Sequence, residues 1–463
     1  MFSAVTHEDT AASFYGHRDA GVNMETYFNE LVSLLDRSLA PGEVYTCAFD
    51  AETSDFVRMN RGKIRQPGSV LQRYLRLHLI RGKRHAELCF ALSGDLARDR
   101  VPVASAFSWL RETLSELPDD PHLSYATDVQ SSRSVKSAEL PAADEVVANV
   151  LDAAAGLDLV GIYAAGPVYR GFANSLGQRN WHEVTSFNLQ WSLYHRADKA
   201  VKSAYGGFDW SAGTFAAKMH DARERLALLA VPARSLEPGS YRAYLTPSAM
   251  EEIAGMLCWG GFSGRALATR QSCLFRVQDG EAAFDPSVGF TENTVDGVAP
   301  AFQGEGFTRP DAVPLVREGR LVGSLVSPRT AKEYSLPTNG ANAAEMPESL
   351  DMAGGVLSAS DALSALDTGL YIGNLWYLNF SDRPACRLTG MTRFASFWVE
   401  HGKIVAPVNV MRFDDSLFRL LGDRLVGLTS ERELVVDANS YRSRNVGSMR
   451  LPGAVVSEMA FTL

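Results

Sequence analysis

Residues 187–193 alternate without interruption, with Phe187, Leu189, Trp191 and Leu193 on one side and Asn188, Gln190 and Ser192 on the other. Successive side chains of a strand point to opposite faces, so a period of two over this length predicts a β-strand with one apolar face. A sheet that is dry on one face must lay that face against a covering layer. The chain supplies such layers. Behind Asn23, which reads as an N-cap, Tyr27, Phe28, Leu31, Leu34, Leu35 and Leu39 recur at helical spacing until Pro41-Gly42 stops them. The period then changes. Val44 to Phe49 and Phe56 to Met59 read as strands, and Leu75, Leu77 and Leu79 alternate with Arg76 and His78 as another. Arg81-Gly82-Lys83 turns the chain into a further strand, Ala86 to Leu92.

Helices are predicted over 98–117 and 143–155, separated by a Pro-, Asp- and Ser-rich stretch, 118–142, expected as surface loop. Strands over 157–165 and 168–173 precede a turn at Asn174-Ser175-Leu176-Gly177, and a helix is predicted over 212–230. Val231 to Gly239 holds two prolines and a glycine directly after that helix and reads as a domain boundary. Beyond it come a strand, Tyr241 to Leu245, and a helix started by Thr246-Pro247, a hydroxyl N-cap followed by proline at the first helical position. Short strands and glycine-rich turns follow, with helices near 360–366 and 415–422. There is no regular βαβ alternation. The pattern predicts an α+β fold of two domains, antiparallel sheets flanked by helices. A flexible N-terminal arm is expected over 1–20, an N-terminal α+β domain over 21–232 and a C-terminal β-rich α+β domain over 240–463.

Composition narrows the function classes. Over 463 residues, 46% are hydrophobic and 21% charged, which excludes a disordered, collagen-like or coiled-coil chain. A net charge of −9 argues against non-specific binding to nucleic acid or an anionic membrane, since both need a basic footprint. No apolar stretch reaches the roughly 18 residues of a membrane span, and the first residues lack the basic start and apolar core of a signal peptide. Five scattered cysteines with no CxxC pair predict reduced thiols in the cytosol.

Motifs for chemistry are sparse. The nine histidines include no pair four or five apart, so no zinc-peptidase helix stands out. His182-Glu183 is expected on the exposed face of a strand. Glu251-Glu252 falls near the start of the helix behind Thr246-Pro247, where negative charge complements the helix dipole. Gly260-Gly261-Phe262-Ser263-Gly264 and Gly304-Glu305-Gly306 match neither a P-loop nor a dinucleotide fingerprint and read as turns. Cys258 and Cys273, fifteen positions apart without a neighbouring histidine, read as buried thiols. No GxSxG nucleophile elbow is present.

The second half carries an ordered series of short signatures. Gly260-Gly261-Phe262-Ser263-Gly264 is followed by Ala268-Thr269-Arg270-Gln271-Ser272, then by Phe302-Gln303-Gly304-Glu305-Gly306-Phe307-Thr308. Leu315-Val316-Arg317-Glu318-Gly319-Arg320-Leu321-Val322, Thr338-Asn339-Gly340 and Thr368-Gly369-Leu370-Tyr371-Ile372 come next. Arg387-Leu388-Thr389-Gly390, Phe397-Trp398-Val399-Glu400-His401-Gly402-Lys403-Ile404 and Ala406-Pro407-Val408 close the series. In this order they resemble the TldD/PmbA family, whose PmbA branch is also called TldE. Met59-Asn60-Arg61-Gly62-Lys63-Ile64 and the turn Asn174-Ser175-Leu176-Gly177 extend the resemblance to about residues 40–460.

The resemblance implies a two-domain α+β subunit and a cytosolic heterodimer of TldD with TldE. The TldD subunit of such a pair holds zinc through HExxxH and a later cysteine. These complexes are associated with peptide and leader-peptide cleavage, with antitoxin turnover and with modulation of DNA gyrase. The present sequence departs from TldD where the zinc would sit. The helix reads Met250-Glu251-Glu252-Ile253-Ala254-Gly255-Met256-Leu257-Cys258-Trp259-Gly260, which places Gly255 and Gly260 at the two histidine positions. Glycine cannot ligate, and Asn445-Val446-Gly447-Ser448-Met449-Arg450-Leu451-Pro452 stands in place of the cysteine motif. The same glycines would let a neighbouring backbone pack closely on the helix.

The resemblance therefore implies a non-catalytic TldE-type subunit without a cofactor of its own, partnered with a zinc-bearing HExxxH subunit and helping to hold a peptide. Phe397, Trp398 and Val399 are the expected substrate-binding strand, by strand addition. Two alternatives stand beside it. One is a homo-oligomeric peptide-binding protein; the other is a peptidase with His182, Glu183 and His401 as unorthodox metal ligands.

Overall fold

The computed structural model describes residues 23–196 and 199–462. The arm expected over 1–20 lies outside them. The first part of the chain runs α1 (Met24–Ser38), β1 (Val44–Asn60), β2 (Lys63–Arg81), β3 (Arg84–Ala91), α2 (Leu96–Glu116), β4 (Ser132–Lys136), α3 (Ala143–Ala153), β5 (Asp158–Asn174), β6 (Arg179–Arg196), β7 (Lys199–Gly207) and α4 (Ala212–Leu228). Its seven strands form one sheet in the order β3-β2-β1-β5-β6-β4, with β7 also on β6. All pairings are antiparallel except β4 on β6. Asn23 caps α1, its Oδ1 accepting the Thr26 N–H at 2.9 Å. The apolar faces of α1 and α2 cover one half of the sheet, and α3 and α4 cover the half formed by β5–β7.

Two differences from the sequence reading have physical causes. The segments around Val44–Phe49 and Phe56–Met59 are one strand, β1, because Glu52 and Ser54 between them are buried by the other half of the molecule, where the pattern predicted a break. Likewise 157–165 and 168–173 join as β5 through Gly166 (φ +134°), where a Cβ would meet the Thr53 carbonyl oxygen at 2.2 Å. The expected loop 118–142 also contributes the parallel strand β4.

The second part runs β8 (Gly239–Leu245), α5 (Pro247–Cys258), α6 (Gly264–Ala268), α7 (Phe275–Gln278), β9 (Phe290–Asn293), β10 (Ala312–Arg317), β11 (Arg320–Leu321), α8 (Pro328–Tyr334), β12 (Ser349–Met352), α9 (Ala362–Leu366), β13 (Gly369–Asp382), β14 (Arg387–Glu400), β15 (Lys403–Pro407), β16 (Arg412–Ser416), β17 (Leu425–Val436) and β18 (Ser448–Phe461). The helix expected near 415–422 is instead the end of β16 and a single wide turn. Nine of the eleven strands run β11-β10-β9-β12-β18-β16-β14-β13-β8, β15 adds to β14 and β17 to β18, and β18 also pairs with β8, so the sheet closes upon itself. Helix α5 packs inside this curved sheet, with Met250, Ile253, Ala254 and Leu257 in its core.

The two parts meet through a shared apolar cluster. Tyr371, Phe397, Val399 and Val455 of the second sheet pack with Phe187, Leu189 and Trp191 of the first. The structure is therefore α+β, with largely antiparallel sheets flanked by helices. No helix among the described residues is long and apolar enough to cross a membrane.

Candidate functional site

Helix α5 builds the floor of a cavity. Thr246 starts it, its hydroxyl accepting the Ala249 N–H at 3.3 Å, and Pro247 occupies the first helical position. One face carries Ala249, Met250, Ile253, Ala254 and Leu257 into the core. Residues three and four apart share a helical face, so Glu251, Glu252, Gly255, Met256 and Trp259 turn together to the opposite side. They line a cavity of about 600 Å³. Its walls come from Met346 to Glu348, from Leu378 on β13, and from both sides of the β17–β18 connection, with Asp437, Asn445 and Met449. A neighbouring cavity of about 480 Å³ shares Asn342 and Glu348 with it and opens onto β1 and β5 of the first sheet. Such concave, largely apolar space with a few convergent polar groups suits a ligand.

The charge in this cavity is acidic and incompletely answered. Glu348 is paired with Arg309, and Asp437 accepts the Asn445 side-chain amide at 2.6 Å. The side-chain carboxyls of Glu251 and Glu252 accept no hydrogen bond from a described residue. Burial pushes the Glu251 carboxyl up to about 7, with the Lys202 ammonium pulling it back and Glu252 and Asp437 adding to the rise. Burial raises Glu252 in the same direction. The dipole explanation of this doublet is superseded: neither glutamate lies in the first turn of α5. Two carboxylates on a helix that otherwise buries Ala, Met, Ile and Leu are the sequence signal that marks the cavity.

The two glycines at the histidine positions part company. Gly255 lines the cavity, and a Cβ there would meet nothing within 4 Å. Gly260 lies beyond the end of α5 in a left-handed turn (φ +78°), with only Ala266 Cβ near, at 3.8 Å. Neither receives a closely packed backbone, contrary to the expectation; Gly261 does, where a Cβ would lie 2.3 Å from the Leu257 carbonyl oxygen. A zinc site of the HExxxH kind does not fit this cavity. Gly255 offers no donor, no histidine lines the space, and burial pushes the Cys258 thiol up to about 12. Among the described residues no three His, Cys, Asp or Glu side chains converge as a ligand set.

Gly255 has no conformational need to be glycine, since it sits within α5 at helical geometry with open space beside it. Gly255→Ala is therefore expected to stabilise the chain by about 0.5–1 kcal/mol, the usual gain for a helix interior. Urea denaturation checks this, and a loss of stability would show that the bare spot is already filled in the folded protein.

Phe397, Trp398 and Val399 do not reach the cavity. Phe397 and Val399 are fully buried in β14. The strand is bonded on both sides, with Trp398 opposite Leu370 of β13 and Ala406 of β15, so no backbone edge is free there for an added strand. The half-buried Trp398 donates its indole N–H to Glu400 at 2.9 Å and packs edge-on against Tyr241. His182 is not on an exposed face: it is buried, its Nε2 bonded at 3.0 Å to the Val298 carbonyl from the other half of the molecule. Burial pushes that imidazole down to about 4. Glu183 points to the other side of β6, toward Glu25 and Arg133, and His401 is exposed in the β14–β15 turn beside Asp367. These three side chains do not come together.

Residues 238–463 match the family model described as the PmbA/TldA metallopeptidase C-terminal domain. No curated protein matches in sequence. Among solved structures the chain resembles TldE from Thermococcus kodakarensis, with 13% identity, 94% of this chain and 100% of that one covered, and a TM-score of 0.74. It also resembles a proposed modulator of a DNA gyrase from Thermotoga maritima, with 13% identity, 95% and 100% covered, and a TM-score of 0.73. A proposed modulator of DNA gyrase from Bacteroides thetaiotaomicron has 15% identity, with 94% and 98% covered and a TM-score of 0.73. At these identities the likeness to solved structures is one of fold, along nearly the whole chain. With its second half matched to the domain model and the ordered signatures running through that same half, the chain belongs to the TldD/PmbA family.

Proposed function

We propose that this chain is the non-catalytic, TldE-type subunit of a two-subunit zinc metallopeptidase that acts on peptides or unfolded segments. The observation that carries the reading is Gly255: at the position of a metal-binding histidine, the wall of a peptide-sized cavity has no side chain at all. Zinc in an HExxxH-bearing partner would supply the activated water. The residues here would complete the chamber, exclude bulk water and hold the substrate through the apolar walls and the carboxylates of α5. Five unpaired cysteines, four of them buried, support a cytosolic setting for the assembly.

The test is reconstitution. The chain and an HExxxH-bearing relative encoded in the same genome are purified separately and together, and zinc and peptide cleavage are measured on each. The isolated chain is expected to cleave nothing, and cleavage is expected when the two are combined. Zinc-dependent cleavage by the isolated chain overturns the proposal. A stable homo-oligomer that binds peptide and ignores the relative would favour a peptide-binding protein instead.

A further inference from the structure

A second and larger cavity, of about 1030 Å³, lies against the first sheet where β1 and β2 run toward their connecting turn. Its charge is opposite to that of the α5 cavity. Arg58 and Arg65 line it from the two arms of the hairpin, with Lys202 of β7 at its inner side. Arg58 and Arg65 are exposed and have no carboxylate partner among the described residues. From Val57 to Pro67 the hairpin carries Arg58, Arg61, Lys63 and Arg65 and no acidic residue, so nothing on it neutralises this end.

The two cavities adjoin. Lys202 lines the basic one, while its charge acts on both Glu251 and Glu252 in the acidic one. The β17–β18 connection spans them as well, with Ser440 at the basic cavity and Asp437 at the acidic one. Glu251 and Glu252 are thus the part of the acidic cavity that faces the basic one, and Met256, Met346, Leu378 and Met449 supply apolar wall to the same acidic cavity, three of them adaptable thioethers. In the acidic cavity Glu251 stands without a hydrogen-bond donor and with only the Lys202 charge acting on it from the neighbouring cavity, so a ligand cation there would meet a carboxylate that the protein answers incompletely.

We propose that the two neighbouring cavities together select peptides whose charges are segregated, with an anionic stretch along Arg58 and Arg65, a cationic stretch beside Glu251 and Glu252 and apolar residues beyond it in the α5 cavity. This rests on the reading of the chain as a subunit that holds peptide, and it names the class of peptide held. Opposite potentials in two neighbouring cavities favour a single charge register, and placing like charges together disfavours the reverse.

Two end-capped fluorescent peptides of about twelve residues test it. They share one composition; one runs from a block of glutamates through a block of lysines to a block of leucines and methionines, and the other has lysines and glutamates alternating before the same apolar block. Binding to the full chain is read by anisotropy at low and moderate salt. The segregated peptide is expected to bind about tenfold more tightly at low salt, with the preference shrinking as salt rises. Arg58→Glu combined with Arg65→Glu is expected to abolish the preference; both side chains are exposed, and circular dichroism confirms that the fold is kept. Equal binding of the two peptides, no binding of either, or a preference that survives the charge reversal overturns the proposal. Equal binding leaves the two-subunit reading standing, because partner-dependent cleavage tests that reading separately.

Discussion

Arg444→Met is expected to cost about 3–5 kcal/mol and to detach the β17–β18 connection from the first sheet, the usual loss when one member of a buried charged network is removed. Arg444 is 6% exposed. Its guanidinium donates to the Gly166 carbonyl at 2.8 Å and to the Ser186 carbonyl and hydroxyl, each at 2.8 Å. Its backbone N–H reaches the buried Glu52 carboxylate at 3.3 Å. Burial lowers the guanidinium to about 10, and the Glu52 charge pulls the other way. Methionine fills much of the volume but takes the guanidinium donors away from the Gly166 and Ser186 carbonyls and the Ser186 hydroxyl, and removes the positive charge near Glu52. Arg444→Lys is expected to recover only part of the loss, since an ammonium cannot span Gly166 and Ser186 as the planar fork does. The midpoint of urea denaturation reads the cost, and limited proteolysis between residues 437 and 447 reads the loosening. Asp437 and Asn445 of this connection line the α5 cavity, so peptide binding should weaken in parallel. A variant with unchanged denaturation and proteolysis would show that the two halves are held by the shared apolar cluster alone.

The same contacts explain what the sequence could show. Periodicity reports the two faces of a strand, and it placed the dry face of β6 correctly, because Phe187, Leu189, Trp191 and Leu193 are all in the core. It also located the start of α5, because Thr246 and Pro247 act locally. Periodicity cannot report that a second layer covers the polar face. Glu52, Ser54, His182, Ser186 and Asn188 are all buried, each met by atoms far along the chain. Arg444 bonds Ser54 across 390 residues, the Val298 carbonyl takes His182, and the Val436 carbonyl accepts from Asn188. Polar residues covered in this way look identical to solvated ones in a sequence. The bare position Gly255 was legible only through its place in an ordered family pattern. The neighbouring Glu251 and Glu252 were visible as a doublet, but whether that doublet faced water or a cavity depended on where β12, β13 and β17 would close around α5. The basic cavity was hidden for the same reason, since Arg58, Arg65 and Lys202 come together only through the pairing of β1 with β2 and the placement of β7.

Glu251→Gln is expected to stabilise the chain by about 2 kcal/mol above pH 7 and to leave its stability almost unchanged at pH 4.5. The sign follows from the direction of the shift. Burial holds the folded carboxyl at about 7, against an ordinary value of 4.5. Below pH 4.5 both the folded and the unfolded chain keep the proton, and glutamate behaves as its neutral amide analogue does. Between pH 4.5 and 7 the unfolded chain releases the proton and the folded chain resists, so wild-type stability falls as pH rises; above pH 7 the loss is complete. The facing charges set the size of the effect: Lys202 offsets part of the burial cost, and Glu252 and Asp437 add to it. Glutamine removes the ionisation and with it the slope. Urea denaturation of both proteins from pH 4.5 to 8 measures the difference at each pH. A constant difference, or a variant less stable than wild type at pH 8, would mean that Glu251 is solvated and that the α5 cavity does not shield it. If the difference grows with pH as expected, the folded chain carries a strained negative charge at neutral pH inside a cavity with no histidine and no cysteine thiolate. Such a charge disfavours the folded chain by itself and favours it once a cation arrives, so a residue that weakens the free protein would strengthen the hold of this cavity on a cationic ligand.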